Sequence, residues 1–257
     1  EAAYSLYSSS TGAGDTKSIG VLKSYDGGNT WYYTGLSWNL GDRMLIRRLL
    51  INPDNPQTLI AATSEGIYQT TDGGDTWVNV QPGYFMDAEL KPNNSSIVYA
   101  STFDPNGNAQ IYYSYDGGFS WSPSGIMITG ASISRINLAV SNAYPDLVDA
   151  LCANTDGGLA GLWYSLDDGF TFINYFSPNQ APGECNNNFL CGKYDAAECG
   201  GQGTYDLAYA INPDNASEIW MGGVNTWKSS NGGGTWELKN MWVEDPGLNP
   251  VQAPEVH

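Results

Sequence analysis

Two aspartates stand where the sequence could support acid–base chemistry. Asp87 occurs in YFMDAEL and Asp206 in GTYDLAY, each at the start of an apolar, β-rich run. Two carboxyl groups roughly 5 to 9.5 Å apart can hydrolyse a glycosidic bond, one of them serving as the acid. A carboxylate at the start of a strand also binds strand or loop amides, however. Asp87 and Asp206 are therefore catalytic candidates, although the sequence favours the structural role for both.

Composition argues against several other chemistries. The chain has 257 residues, a single histidine (His257) and a formal net charge of −17, a field that repels nucleic acid and anionic lipid surfaces. No apolar run approaches the roughly 20 residues of a membrane helix, so no membrane insertion is expected. DPNGNAQ, residues 104–110, lacks the spacing of an EF-hand loop. We predict no metal site, and no cofactor other than loosely held calcium.

Cysteine usage indicates an oxidising compartment. Three of the four cysteines fall within a loop rich in glycine and asparagine, and their spacing, Cys-x5-Cys-x7-Cys, differs from the Cys-x2-Cys pairs of zinc sites. The cysteines are Cys152, Cys185, Cys191 and Cys199. Four cysteines allow three pairings, of which we favour Cys152–Cys199 with Cys185–Cys191. The alternative is that Cys152 is a buried thiol and one loop cysteine is free.

An eight-residue phrase recurs five times, and its first copy is SYDGGNTW at residues 24–31. Each copy, termed a box here, reads hydroxyl, any residue, Asp or Asn, any residue, Gly, any residue, hydroxyl and aromatic. A catalytic site has no use for five equivalent copies, whereas a repeated structural unit does. The box residues are Ser24, Asp26, Gly28, Thr30 and Trp31; Asp72, Gly74, Thr76 and Trp77; Asp116, Gly118 and Trp121; Asp167, Gly169 and Phe172; and Asn231, Gly233 and Trp236.

A second phrase alternates with the boxes. LLINPDNPQTLIAAT, AELKPNNSSIVYAST and AYAINPDNASEIWMGG each join two apolar runs through a turn of Pro, Asn and Asp. One unit is thus predicted to hold four strands, with the box in the last hairpin, as in a β-propeller blade. Alternation in the third strand predicts a core face at Leu22, Tyr68, Tyr112, Trp163 and Trp227 and a solvent face at their successors. In the box, Asp should accept hydrogen bonds from turn amides and hydroxyls, and the aromatic ring should pack between blades.

The box resembles the Asp-box, or BNR repeat, of sialidases, sortilin-type propellers and xyloglucan-cleaving hydrolases. SIGVLKSYDGGNTW, GGQGTYDLAYAINPDN and GGVNTWKSSNGGGTW most resemble sortilin-like propellers of exported Bacteroidota proteins that use type IX secretion. The resemblance implies an all-β propeller and a secreted or cell-surface location, with no particular reaction. Sialidase activity is disfavoured, because none of Arg43, Arg47, Arg48 and Arg135 precedes the first box or sits in the expected Arg-Ile-Pro phrase.

Five units are predicted along a single propeller segment that spans residues 1–257. They cover residues 1–40, 41–82, 83–126, 127–176 and 201–240, with an insertion loop at residues 177–200. If the first strand of each unit runs from top to bottom, the Pro-Asn turns and boxes lie at the bottom and the long loops at the top. The first unit lacks its own first strand and residues 241–257 carry three prolines. We therefore expect an incomplete arc, with further blades or domains of the parent chain beyond His257.

Elaborated loops on one face are typical of a binding surface. We predict that Tyr194, Asp195, Tyr205 and Asp206 contact a ligand at the top face, since aromatic rings beside carboxylates suit a glycan or an extracellular protein. The favoured function is a non-catalytic recognition or scaffold module of a secreted or surface protein. The alternatives are a glycoside hydrolase that uses acidic residues at the channel mouth, and a structural spacer in an adhesin.

Overall fold

Antiparallel sheets of four strands form most of the molecule. A computed structural model describes residues 4–5, 16–124, 132–181 and 184–242. Residues 243–257, His257 included, lie outside the described part of the chain. Most of residues 1–15 also lie outside it.

Blade 1 pairs β3 (Gly20–Lys23) with β4 (Tyr32–Ser37), and a short pair, β1 (Tyr4–Ser5) with β2 (Thr16–Lys17), precedes it. A 3-10 turn at Leu40–Asp42 leads to blade 2, which consists of β5 (Ile46–Ile51), β6 (Leu59–Thr63), β7 (Gly66–Thr70) and β8 (Val78–Pro82). Blade 3 consists of β9 (Phe85–Leu90), β10 (Val98–Thr102), β11 (Ile111–Ser114) and β12 (Ser122–Pro123).

Blade 4 consists of β13 (Ile133–Val140), β14 (Val148–Asn154), β15 (Leu159–Ser165) and β16 (Ile173–Phe176). A hairpin of β17 (Asn179–Ala181) and β18 (Glu184–Asn186) lies in the insertion. Blade 5 consists of β19 (Ala208–Asn212), β20 (Asn215–Gly222), β21 (Thr226–Ser229) and β22 (Glu237–Asn240). The predicted all-β propeller of four-stranded blades is confirmed.

The hydrophobic core is divided into clusters between successive blades. Val21 and Leu36 of blade 1 pack with Ala61 of blade 2, and each later pair of blades shares a cluster of its own. Blades 2, 3 and 4, which each have a described blade on either side, are therefore covered on both faces. The predicted solvent face of the third strand is wrong at Gln69, which is 3% exposed and donates its Nε2 to the Gly117 carbonyl of the next blade at 2.7 Å.

The boxes join blade to blade at the bottom. In the second box, the amide and hydroxyl of Thr76 donate to Asp72 at 2.9 and 2.6 Å, while Thr70 donates to the same carboxylate at 2.7 Å. The two glycines adopt positive φ, which side chains resist. A Cβ on the fifth residue would meet the preceding blade: Gly118 abuts Ile60, and Gly169 abuts Tyr99. The box is thus a structural turn, as its repetition predicts.

The box aromatics also follow the blade order. Trp77, Trp121, Phe172 and Trp236 each pack on the cluster that joins their blade to the preceding one. The indole N–H groups of the four tryptophans donate to the carbonyl of the fifth box residue at 3.0–3.1 Å. Trp31 in blade 1 keeps this bond but is 56% exposed, so the predicted packing between blades is wrong for the first box, which has no described blade before it.

Candidate functional site

The inner strands of blades 2 to 4 place polar side chains at one register position beside the central channel, termed the polar layer here. Pairing with the second strand sets a common register, in which Arg48, Asp87, Asn137 and Ala208 occupy the same position on β5, β9, β13 and β19. These strands are the innermost of their sheets, so their free edges face the neighbouring inner strands. Arg48 and Asp87 reach the backbone of the next blade, whereas Asn137 contacts the Asp87 side chain of the preceding blade.

Asp87 is the central member of this layer. Its Oδ2 accepts from the Leu138 amide and from Asn137 Nδ2, both at 2.8 Å, and its Oδ1 accepts from the Ala88 amide at 2.9 Å. Arg48 Nε lies 3.7 Å from Oδ1. The carboxylate is 5% exposed, and burial raises its pKa despite these donors. Asp87 therefore links blades 3 and 4, as the structural interpretation of the sequence predicts.

Glu89 is a functional candidate that sequence reasoning missed. It lies two residues beyond Asp87 on β9 and forms an ion pair with Arg48 Nη2, while Arg48 Nε donates to the Ala88 carbonyl at 3.2 Å. Burial, followed by the charge of Asp87, raises the pKa of Glu89 to about 7. Its side chain keeps 17% of its surface open, so it can exchange a proton near neutral pH. The signal in the sequence was a second acid inside the β-rich run FMDAEL.

Arg135 organises the upper end of the channel. Its guanidinium donates to the carbonyls of Thr204, Tyr205 and Leu207 at 3.3, 2.8 and 3.4 Å, and so ties blade 4 to the segment that enters blade 5. Asp206 lies in that segment and is half-buried, whereas the Tyr205 side chain is 83% exposed. β13 separates β9 from β19. Asp206 and Asp87 are therefore not on neighbouring strands.

The disulfide pairing of the insertion loop differs from the favoured prediction. Cys185 bonds to Cys199, while Cys152 and Cys191 are buried free thiols. The predicted pairing of Cys152–Cys199 with Cys185–Cys191 is wrong, because Cys152 lies in the cluster between blades 3 and 4. The loop instead packs on the cluster between blades 4 and 5. The alternative is confirmed, because Cys152 is a buried thiol and Cys191 is the one free cysteine of the loop.

Tyr194 and Asp195 lie in this disulfide-bonded insertion. Tyr194 is half-buried, and Asp195 is exposed and accepts from the Ala197 amide at 3.1 Å. Phe189 and Leu190 turn inward and pack against Trp227 and Met221. The insertion loop is thus packed against the cluster between blades 4 and 5. Ligand contacts by Tyr194, Asp195, Tyr205 and Asp206 stay a prediction.

A cavity of about 620 Å³ lies at the bottom end of the channel. The Pro-Asn turns of four blades form its wall: residues 53–54 of blade 2, residues 90–95 of blade 3, residues 140–142 of blade 4 and Pro213 of blade 5. Leu90, in this wall, directly follows Glu89 along β9. Successive side chains of a strand point to opposite faces, and Glu89 itself is not part of the cavity wall.

Within residues 4–5, 16–124, 132–181 and 184–242, no group of three or more His, Cys, Asp or Glu side chains could hold a metal ion. No helix in the described part of the chain has the length and hydropathy needed to cross a membrane.

Several known proteins are similar to this chain in sequence or in structure. The xyloglucanase Xgh74A of Acetivibrio thermocellus is 24% identical over 267 aligned residues, which cover 86% of this chain and 28% of that protein. A crystal structure of an ancestral GH74 enzyme superposes with a TM-score of 0.62 at 17% identity, over 87% of this chain and 29% of the enzyme. The GH74 xyloglucanase of Xanthomonas campestris gives a TM-score of 0.59 at 17% identity, over 87% and 35% of the two chains.

The two structural matches establish the fold alone, and no protein-family model matches the chain. The chain spans less than a third of the length of the xyloglucanase relative. The predicted non-catalytic recognition or scaffold module is nevertheless contradicted, since the proteins similar in sequence are named xyloglucanases. They favour the alternative, a glycoside hydrolase.

Proposed function

We propose that this chain is a propeller module of a glycoside hydrolase that acts on a β-linked polysaccharide of the xyloglucan class. The observation that carries the proposal is the 24% identity to a xyloglucanase across 86% of the chain. A net charge of −17 agrees with a neutral polysaccharide, since a polyanionic substrate would be repelled.

The residue that we assign to the reaction is Glu89, which lies two residues beyond Asp87 on β9 and keeps 17% of its side-chain surface open. With a pKa of about 7, it would donate the proton to the leaving oxygen. Asp87 is 5% exposed and its carboxylate oxygens already accept three hydrogen bonds, so it keeps its structural role. Glu89 thus takes the place of Asp87 and Asp206 as the catalytic candidate.

The test is the release of reducing ends from soluble xyloglucan by the 257-residue chain. Glu89→Gln keeps the shape of the side chain but removes the acid, so the rate should fall by about 100-fold or more. Because Glu89 must hold its proton, the wild-type rate should decline as the pH rises through about 7. The control is Glu65→Gln, a change at an exposed acid in the β6–β7 turn at the top of blade 2. A wild-type chain that releases no reducing ends, or a Glu89→Gln variant of undiminished rate, would contradict the proposal.

We also propose a secreted or cell-surface location, where the substrate is a glycan. The Cys185–Cys199 disulfide supports it, because such bonds persist in oxidising compartments. The hydrogen bonds from box hydroxyls and amides to Asp26, Asp72, Asp116 and Asp167 support naming the boxes Asp-boxes. A sortilin-like relationship and type IX secretion stay predictions from the sequence.

A further inference from the structure

The wall of the cavity at the bottom of the channel contains both apolar rings and polar amides. Pro53, Pro92 and Pro213 reach it from three different blades and offer apolar ring surfaces. Asn93 and Asn142 are exposed in the same wall, and their side-chain amides make no hydrogen bond to any described residue. Pyranose rings present C–H faces and hydroxyl edges, so they match apolar surfaces placed beside free amides.

The lysine in the described cavity wall is already paired. The Lys91 ammonium, which is 11% exposed, contacts Asp146 at 2.7 Å and Asp168 at 2.5 Å. Asp54 accepts a hydrogen bond from the neutral Ser95 hydroxyl at 2.6 Å and keeps its negative charge. An anionic ligand therefore finds no free cation in the described wall, which agrees with a neutral polysaccharide as the ligand.

We propose that this cavity binds a neutral pyranoside segment of the polysaccharide chain at the bottom face. This inference rests on the proposed function for the identity of the ligand. It assigns a binding site to the face of the Pro-Asn turns, where the sequence predicted ligand contacts from the long loops at the top.

Binding of a xyloglucan heptasaccharide, measured by isothermal titration calorimetry, tests the site. The titration is made on the Glu89→Gln background, so that the probe stays intact. Asn142→Trp should fill the cavity and weaken binding by about 10-fold or more, the loss of roughly 1.4 kcal/mol of binding free energy. The matched variant is Gln202→Trp, at an exposed position of the loop beside Tyr205 on the top face. It should change the affinity less than about 2-fold.

A second variant separates a loss of binding from misfolding caused by Asn142→Trp. Asn93→Ala with Asn142→Ala removes the two free amides without adding bulk, and it should weaken the heptasaccharide by several-fold at an unchanged melting temperature. The site is wrong if the heptasaccharide does not bind, or if Gln202→Trp abolishes binding while Asn142→Trp leaves it intact. Binding that depends on Asn142 in a chain without hydrolytic activity would uphold the site and refute the proposed reaction instead.

Discussion

At the scale of single residues, the boxes tolerate a change of charge but keep their hydrogen bonds. In the fifth box Asn231 replaces Asp, and its Oδ1 still accepts from the Thr235 amide at 2.9 Å. Its Nδ2 donates to the Thr235 hydroxyl at 3.0 Å, so the hydroxyl accepts where other boxes have it donate. Where the carboxylate is present, these donors lower the pKa of Asp26 to about 2, the Thr30 hydroxyl contributing most. The box thus requires an acceptor of this length and not a negative charge.

Asp149 carries a prediction about pH. It is 2% exposed between blades 4 and 5, and it accepts from the Tyr175 hydroxyl and the Ala150 amide, both at 2.8 Å. Burial raises its pKa from 3.8 to about 7. A raised pKa means that the folded state holds the proton more tightly, so the stability from this group is full below about pH 4. It is lost as the pH rises to about 7.

Asp149→Asn should remove that dependence. Relative to the wild type, its free energy of unfolding should improve by about 4 kcal/mol between pH 4 and pH 8, as a shift of about three pKa units implies. Urea unfolding at the two pH values measures the difference. Asp156→Asn, at an exposed position of the same blade, is the control. A constant difference between Asp149→Asn and wild type would show that the carboxyl group titrates equally in the folded and unfolded chain.

At the scale of elements, the insertion shows how much of its packing the sequence could predict. The side chains of a strand alternate between its two faces, so Leu151 and Ala153 face blade 5 whereas Cys152 faces blade 3. The insertion packs on the blade 5 side. Period two on β14 together with this packing excludes the Cys152–Cys199 bridge, and the sequence alone provided only the alternation. The burial of Phe189 and Leu190 had no such signal, because the loop composition resembles a solvated segment.

The Cys185–Cys199 bond should stabilise the folded chain. The two cysteines are 14 residues apart, and a loop of that size corresponds to about 3 kcal/mol in the chain-entropy account. Cys185→Ser with Cys199→Ser should lower the melting temperature, and reductant should lower that of the wild type equally while leaving the double variant unchanged. Alkylation of the unfolded protein without reductant should label Cys152 and Cys191 alone. Labelling of Cys185 or Cys199 in that experiment would refute the observed pairing.

At the scale of the whole molecule, the sequence repeat predicted the fold but did not predict the candidate site. Five boxes and their intervening turns specify blades, since each unit must bury its faces against neighbours. The polar layer is not a repeat, because Arg48, Asp87 and Asn137 differ in type at one register position. Only Asp87 of this layer was singled out from the sequence. The signal for the others was charge inside β-rich runs, as in LIRRLL, which marks strands whose edges line a channel.

The polar layer, together with Arg135, links the blades in one direction around the channel. Arg48 of blade 2 binds blade 3, Asp87 of blade 3 binds blade 4, and Arg135 of blade 4 binds the entry to blade 5. Removing one member should therefore weaken the contact between two blades and also leave a buried charge without its partner. Arg48 is the most informative member, because it contacts both Asp87 and Glu89.

Arg48→Met should lower the free energy of unfolding by about 2 kcal/mol at pH 8, and by less at pH 5. The figure is below the 3–5 kcal/mol typical of a sealed ion pair, because the Arg48 side chain is 43% exposed. The dependence on pH follows from the acids that remain: without the guanidinium, the folded-state pKa of Glu89 rises beyond about 7. Stability is then lost further as the pH increases.

Urea unfolding at pH 5 and pH 8 checks this prediction. Arg47→Met is the matched control, because Arg47 donates to the neutral Tyr84 hydroxyl at 2.7 Å. Its loss therefore leaves no carboxylate without an ionic partner. Its cost should therefore be the same at both pH values. If Arg48→Met cost as much at pH 5 as at pH 8, the guanidinium would act through packing and its backbone hydrogen bond. The charge of Asp87 and Glu89 would then have no part in holding blades 2 and 3 together.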